Sequence, residues 1–215
     1  MPKGSPERTA AHRDEIIRAC EKLYQTMSFK EITLKEIGNE TSFSRPTIYN
    51  YFQTKEEIFL ALFTLEYERW NQSLEAILRE NEVLSRTQVA EQLARSLEQR
   101  AQLLKLLSMN NSDMEMGSRP ELLANFKAAY GRSMEAVSAI LEKFCPDLGA
   151  ADRQRFIYIF FPFLFGIYPY TAVTDKQKAA MEKAGVDFSY QSIYTLSFRC
   201  LSWLLGTTIQ GGQGL

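Results

Sequence analysis

Arg45, Pro46, Thr47, Tyr49, Asn50 and Tyr51 crowd into one short stretch, TSFSRPTIYNYFQTKEE, running from Thr41 to Glu57. Their chemistry suits the edges of base pairs. An Arg fork bonds guanine through two parallel donors, worth about 1–3 kcal/mol of discrimination. Pro46 and the Thr47 methyl offer apolar contact to a thymine methyl. Ile48 and Phe52 stand four residues apart and so share one face of a helix. With that face buried, the six residues above are left to the outer surface. The pattern is a short helix with one side inside the protein and the other offered to a partner.

The flanking elements explain how such a helix would be held. A first helix is expected from about Thr9 to Met27, with Ile16, Ile17, Cys20, Leu23, Tyr24 and Met27 recurring at threes and fours on one face. Thr33-Leu-Lys-Glu36 reads as a capping box opening a short second helix with Leu34 and Ile37 inward. Ser44 is the expected N-cap of the third helix, and Pro46 falls in its first turn, where a missing N–H does no harm. Thr54-Lys-Glu-Glu57 reads as a second capping box, opening a long helix through Ile58, Leu62, Leu65 and Trp70 to about Asn81. Three short helices with a tight turn between the second and third make a helix-turn-helix, in which the third enters the major groove and the second braces on the backbone. Lys55 lies beside the capped start of the fourth helix, where free amides favour anions. Thr33, capping the second helix, is a candidate for a matching phosphate contact on the other flank, and Lys3 and Arg8 are candidates for an arm over the DNA backbone.

The stretch Ile16 to Phe63 resembles the DNA-binding domain of TetR-family transcriptional repressors. Its most specific part is TIYNYFQTKEEI, Thr47 to Ile58, which is similar to the family's Thr-Leu-Tyr-x-Tyr-Phe-x-x-Lys-Glu pattern. The resemblance implies that Tyr49 and Lys55 hold phosphates. Three positions depart from the family's habit. Ser28 stands where Gly often follows the first helix, Thr41-Ser42 where Ala-Gly often forms the turn, and Pro46 where Gly is common. A Ser in that turn must adopt or avoid a left-handed backbone that Gly reaches easily. No departure removes one of the named contact residues. The DNA-facing set is therefore Thr33, Ser44, Arg45, Pro46, Thr47, Tyr49, Asn50, Tyr51 and Lys55.

Helical spacing also runs through the remainder, with almost no strand-like alternation. Helices are expected at about Arg86 to Ser108, Pro120 to Phe144, Ala151 to Val173 and Phe188 to Ile209. The segments NNSDMEMGSRP and VTDKQKAAMEKAGVD read as connectors, the second with room for a helical turn, and the tail GGQGL as frayed. The expected fold is all-α: a helix-turn-helix domain at residues 1–63 and a larger helical domain at residues 64–215. The last two long helices are apolar around much of their circumference. A monomer would leave that surface exposed, which soluble chains rarely tolerate. A single helix-turn-helix also makes few contacts, and such modules act as two-fold dimers. The two helices are thus the expected homodimer interface, as the resemblance also implies. Family members usually carry a small-molecule pocket among the middle helices. Tyr67, Trp70, Phe126, Tyr130, Phe160 and Phe163 suit an apolar lining, and suit a plain core equally.

The bulk numbers exclude more than they assign. The 215 residues are 45% hydrophobic and 24% charged, ordinary for a globular protein. A net charge of −1 lends no support to nucleic-acid binding, so the case rests on where the charges point. Cys20, Cys145 and Cys200 are scattered without CxxC spacing, which argues against a disulfide framework or a metal site and fits a reducing cytoplasm. The N-terminus lacks the apolar core of a signal peptide. FIYIFFPFLFGIYPYTAVT is uncharged but interrupted by Pro162, Gly166 and Pro169, and reads as a helix buried in protein, not as a membrane span. His12 is the only histidine, expected on the surface without chemistry. No phosphate loop, metal-ligand spacing or nucleophile elbow appears, so no enzyme and no cofactor is expected. The expected function is a cytoplasmic, homodimeric repressor of operator DNA released by an apolar or aromatic small molecule. A helix-turn-helix interaction scaffold without specific DNA binding is the alternative. Effector, operator sequence, regulated genes and the sign of regulation are not legible in the sequence.

Overall fold

The computed structural model describes residues 5–109 and 111–207; Lys3, the tail GGQGL and the last residues expected in the final helix lie outside them. Among the described residues every regular element is a helix, as expected. The order is α1 (Pro6–Thr26), α2 (Leu34–Asn39), α3 (Arg45–Ile48), α4 (Lys55–Glu80), α5 (Arg86–Glu98), α6 (Ala101–Leu107), α7 (Asn111–Met116), α8 (Pro120–Phe144), α9 (Ala150–Thr171), α10 (Asp175–Lys183) and α11 (Ile193–Leu204).

Four stretches differ from the sequence reading. The helix expected from Arg86 to Ser108 breaks at Arg100, whose backbone leaves the helical region at φ −122° and ψ 38°. The two supposed connectors carry α7 and α10. α10 is opened by a full capping box, with the Thr174 hydroxyl accepting from the Gln177 amide and the Gln177 side chain accepting from the Thr174 amide. α11 is shorter than expected at its start, because Ser192 caps it by accepting from the Thr195 amide at 3.0 Å.

The chain forms two compact units. The first takes Met1–Glu66 together with Asn110–Tyr130, and the second takes Tyr67–Met109 and Gly131–Leu215. The sequence boundary between Phe63 and Thr64 lies close to the first of these crossings. The return of α7 and the start of α8 to the N-terminal unit has no counterpart in the sequence reading.

The core of the first unit is built on α1 and the first half of α4. Ile16, Cys20 and Tyr24 are buried on α1, as the threes-and-fours spacing requires. The Tyr24 and Phe29 rings meet Phe59 edge-on at 5.2 and 4.7 Å, and Phe63 meets Phe126 of α8 at 4.8 Å. The second unit packs α11 on α5, α6 on α9, and α9 on α11. Trp70, Leu93, Leu97, Phe160, Phe161 and Leu201 fill its interior. Trp70 lies 5.8 Å from Phe161 and gives its indole N–H to Ser96 Oγ at 3.0 Å, so its one polar atom is satisfied inside the core. No single described helix is long and apolar enough to cross a membrane, and the pair α9 and α10 is bent by 85°.

Candidate nucleic-acid interface

α2 and α3 stand where the sequence placed them, and local chemistry explains why. Thr33 caps α2, its hydroxyl oxygen accepting from the amides of Lys35 at 3.2 Å and Glu36 at 3.5 Å. The same hydroxyl donates to the Glu36 carboxylate. The capping box expected there is therefore half formed, because Glu36 takes the hydroxyl and not the Thr33 amide. In the turn between the helices the Glu15 carboxylate of α1 accepts the Ser42 amide. No described residue other than glycine has a positive φ. Ser42 thus avoids the left-handed backbone, and a side chain from α1 satisfies the turn where a Gly is the usual solution.

α3 is short. Its helical residues end at Ile48, and a tighter turn carries the chain on, with the Tyr51 and Phe52 amides donating to the Ile48 carbonyl at 2.9 and 3.0 Å. Ser44 occupies the N-cap without a side-chain hydrogen bond to a helix amide. Ile48 and Phe52 are fully buried, while Ser44, Arg45, Pro46, Tyr49 and Asn50 are exposed and Thr47 is half-buried. The Arg45 guanidinium donates to the Tyr49 hydroxyl at 3.2 Å, one helical turn on. That bond holds an Arg fork and a phenol side by side on the outer face.

Two predicted contact residues are placed differently. The Tyr51 hydroxyl lies 2.8 Å from His12 Nδ1, and the His12 ring packs 4.9 Å from Phe43. Tyr51 is half-buried and ties the turn after α3 to α1. His12, expected to be a surface residue without chemistry, is its partner. Lys55 is half-buried too. Its ammonium donates to the carbonyls of Phe29 at 2.8 Å and Ile32 at 3.2 Å and sits 4.1 Å from the centre of the Phe29 ring. It joins the start of α4 to the loop after α1, and two of its three protons are engaged there.

The second expected capping box is only half formed. Thr54 Oγ1 accepts the Glu57 amide at 3.2 Å. The Glu57 side chain turns away from the Thr54 amide to accept from the Gln53 amide at 2.7 Å and from Arg119. Burial pushes the Glu57 carboxyl up, and the Arg119 hydrogen bonds, with the Gln53 and Arg119 amides, outweigh it and hold the group below the ordinary carboxylate value. Sequence reading missed Arg119, because nothing local to Glu57 points to it.

The aromatic residues proposed to line a pocket divide between the units. Phe126 and Tyr130 belong to the first, and Tyr67, Trp70, Phe160 and Phe163 to the second. Tyr67, Trp70 and Phe160 are packed solid. The described grooves are lined by other residues. The most apolar is about 470 Å³, formed by Pro169, Tyr170, Val173, Met181, Phe188 and Tyr190 among others. Among the described residues no group of His, Cys, Asp and Glu could hold a metal ion. Burial pushes the Cys200 thiol up to about 11 and raises Cys20 and Cys145 as well, so none is activated as a nucleophile.

Comparison with known proteins agrees with this geometry. Residues 16–62 match the family model for bacterial regulatory proteins of the tetR family, and residues 64–190 match the tetracyclin repressor-like C-terminal domain. Over 69 residues the chain is 32% identical to an uncharacterized HTH-type transcriptional regulator of Bacillus subtilis (strain 168), YdgC, a match covering 32% of this chain and 35% of that protein. A second B. subtilis regulator, YfiR, is 36% identical over 59 residues, covering 26% of this chain and 29% of its own length. The chain thus spans about a third of these curated relatives. Solved structures are similar over nearly the whole length. The fatty acid degradation regulator FadR from Bacillus halodurans aligns with a TM-score of 0.58 at 16% identity, covering 95% of this chain and 97% of its own. FadR from B. subtilis, in complex with stearoyl-CoA, gives 0.60 at 15% identity, with 91% and 99% covered. FadR from Thermus thermophilus, in complex with lauroyl-CoA, gives 0.56 at 18% identity, with 94% and 98% covered. At these identities the likeness is one of fold.

Proposed function

The chain belongs to the TetR family of bacterial regulatory proteins, DNA-binding transcriptional regulators that are not enzymes, and from that premise we propose that it is a homodimeric repressor released from its operator by an apolar small molecule. The observation that carries the DNA-binding part is the division of α3 and the turn after it, with Ile48 and Phe52 fully buried and Arg45, Pro46, Tyr49 and Asn50 presented outward. Arg45 reads a guanine edge, Pro46 and Thr47 contact thymine methyls, and Tyr49 and Thr33 take phosphates.

The dimer is supported by what α9 and α11 leave uncovered. Tyr158 is 65% exposed, Tyr170 57% and Trp203 77%. Large aromatic side chains left exposed on two neighbouring helices are the kind of surface a soluble chain covers by association. A two-fold dimer places its reading helices about one turn of DNA apart, which makes the operator a pseudo-palindrome. For the effector, an acyl-CoA is the first class to try, since two proteins of similar fold are in complex with stearoyl-CoA and lauroyl-CoA. The ligand must bind better to the form that fits DNA worse.

Selection of bound sites from random DNA with the purified protein tests the reading. The expected product is a two-fold sequence whose affinity falls steeply with salt as counterions are released. Arg45→Ala should relax preference at the base pair beneath it by about tenfold, with little change at the others. A pool that gives no enriched sequence would favour the interaction scaffold instead.

A further inference from the structure

The reading segment is gripped from a distant part of the chain. Arg119 lies 62 residues beyond Glu57 and immediately precedes α8. Its Nε donates to Glu57 Oε1 at 2.6 Å and its Nη2 to Oε2 at 2.9 Å, while its backbone amide donates to Oε1 at 3.2 Å. Nη2 also donates to the Tyr51 carbonyl at 3.1 Å. Glu57, whose side chain is only 1% exposed, accepts from the Gln53 amide as well. One ion pair therefore holds the carbonyl of Tyr51 and the amide of Gln53, on either side of the buried Phe52. Beside it, the Thr54 hydroxyl donates to the Gly117 carbonyl at 3.0 Å.

A carboxylate this buried is costly unless paired and fully hydrogen-bonded. Glu57 therefore keeps this geometry only while Arg119 is in place. Arg119 is itself fixed to α8, whose first amides, Leu122 and Leu123, donate to its carbonyl at 3.1 and 3.2 Å. α8 runs from the first unit into the second.

We propose that Arg119 is a positioning residue for DNA recognition: through Glu57 it fixes the backbone from Tyr51 to Gln53, and with it the orientation of the Arg45 to Asn50 surface. The proposal rests on that surface facing DNA. Arg119 touches no base. It determines whether the residues that do are aimed correctly, and it ties their aim to the start of α8.

The test uses the full chain and a site selected from random DNA by the parent protein. Arg119→Gln and Glu57→Gln should each fold, by circular dichroism, and bind that site about tenfold more weakly. The slope of log affinity against log salt should not change, because no phosphate contact is lost. The double variant should be no weaker than either single one. Amide exchange should quicken at Tyr51, Phe52 and Gln53, with Ile37 protected as in the parent. Parent-like affinity in both variants, or additive losses, would overturn the proposal. So would a salt slope lowered by about one in Arg119→Gln, which would make Arg119 a phosphate contact. If Arg119→Gln fails to fold, Arg119→Lys decides, since it keeps the charge and loses the fork; weaker binding with the same local exchange supports the proposal and parent-like binding ends it. If the parent selects no site, the DNA-facing premise has failed, and unchanged exchange at Tyr51 to Gln53 in the variants would sink the tether too.

Discussion

The two units of the chain solve the same packing problem with different interactions. In the N-terminal unit, directional bonds from charged and polar side chains surround the reading segment: Lys55 on two carbonyls, Glu15 on the Ser42 amide, Arg119 on Glu57, His12 on Tyr51. In the second unit apolar side chains dominate the interior, with small polar groups such as Ser96 among them, and the charged ties lie toward the edges. Arg86 bonds the Leu205 carbonyl and pairs with Asp147, and Lys143 bonds the carbonyls of Leu78 and Asn81. Apolar burial is strong but non-directional. It assembles helices without fixing any one of them to a fraction of an ångström. A surface that reads base edges needs orientation, and hydrogen bonds with defined geometry supply it.

The largest effect that would sharpen this contrast is expected in the apolar unit. Trp70→Ala removes a fully buried indole and leaves Ser96 without its donor, which should cost about 3–5 kcal/mol. Urea unfolding followed by circular dichroism measures it. A loss below about 1 kcal/mol would mean that this interior collapses around the gap and is less tightly packed than its burial suggests.

Acid should act on the other unit. Glu57 sits below the ordinary carboxylate value because its hydrogen bonds, chiefly to Arg119, overcome its burial. Glu15 and Glu31 are lowered by the amides of Ser42 and Ser28. All three belong to the N-terminal unit. A carboxyl depressed in the folded state stabilises it fully above the unfolded value, roughly 4.3 for Glu. That stabilisation is lost as pH falls through the depressed folded value. Stability should therefore drop progressively from about pH 5 downward, and Glu57→Gln should flatten the drop while lowering stability at pH 7. The urea midpoint of parent and variant across pH 3–7 is the measurement. Parallel curves would mean that Glu57 is not the group that titrates.

The same contrast explains what could be read in advance. Thr33, Ser44, Pro46 and the Ile48–Phe52 pair carry their meaning within a few residues, so α2 and α3 were legible. α8 was as well, with Pro120 at its start and Phe144 at its end. The Arg119–Glu57 pair was not, because a contact across 62 residues leaves no local mark. Thr54-Lys-Glu-Glu57 already offered a complete local explanation for the carboxylate, and that explanation was half wrong. Lys55 is a similar case: beside a helix N-terminus it suits an anion, and its bonds to the carbonyls of Phe29 and Ile32, from another segment, left no local mark. The break at Arg100 carries no Gly or Pro to announce it. α10 is the opposite case, since Thr174-Asp-Lys-Gln177 is a capping box that was there to be read.

The smallest effect separates structure from recognition most cleanly. Thr33 and Ser192 do the same local work, each accepting an amide at the start of a helix, from Glu36 at 3.5 Å and from Thr195 at 3.0 Å. Replacing either by Ala should cost about 1 kcal/mol of stability. If stability were all that mattered to DNA affinity, the two variants would bind the selected site alike. Thr33 is exposed, and if it takes a phosphate as proposed, Thr33→Ala should also weaken binding and lower the salt slope slightly, while Ser192→Ala binds as the parent does. Equal binding by both variants would restrict Thr33 to capping and confine DNA contact to the segment from Ser44 to Asn50.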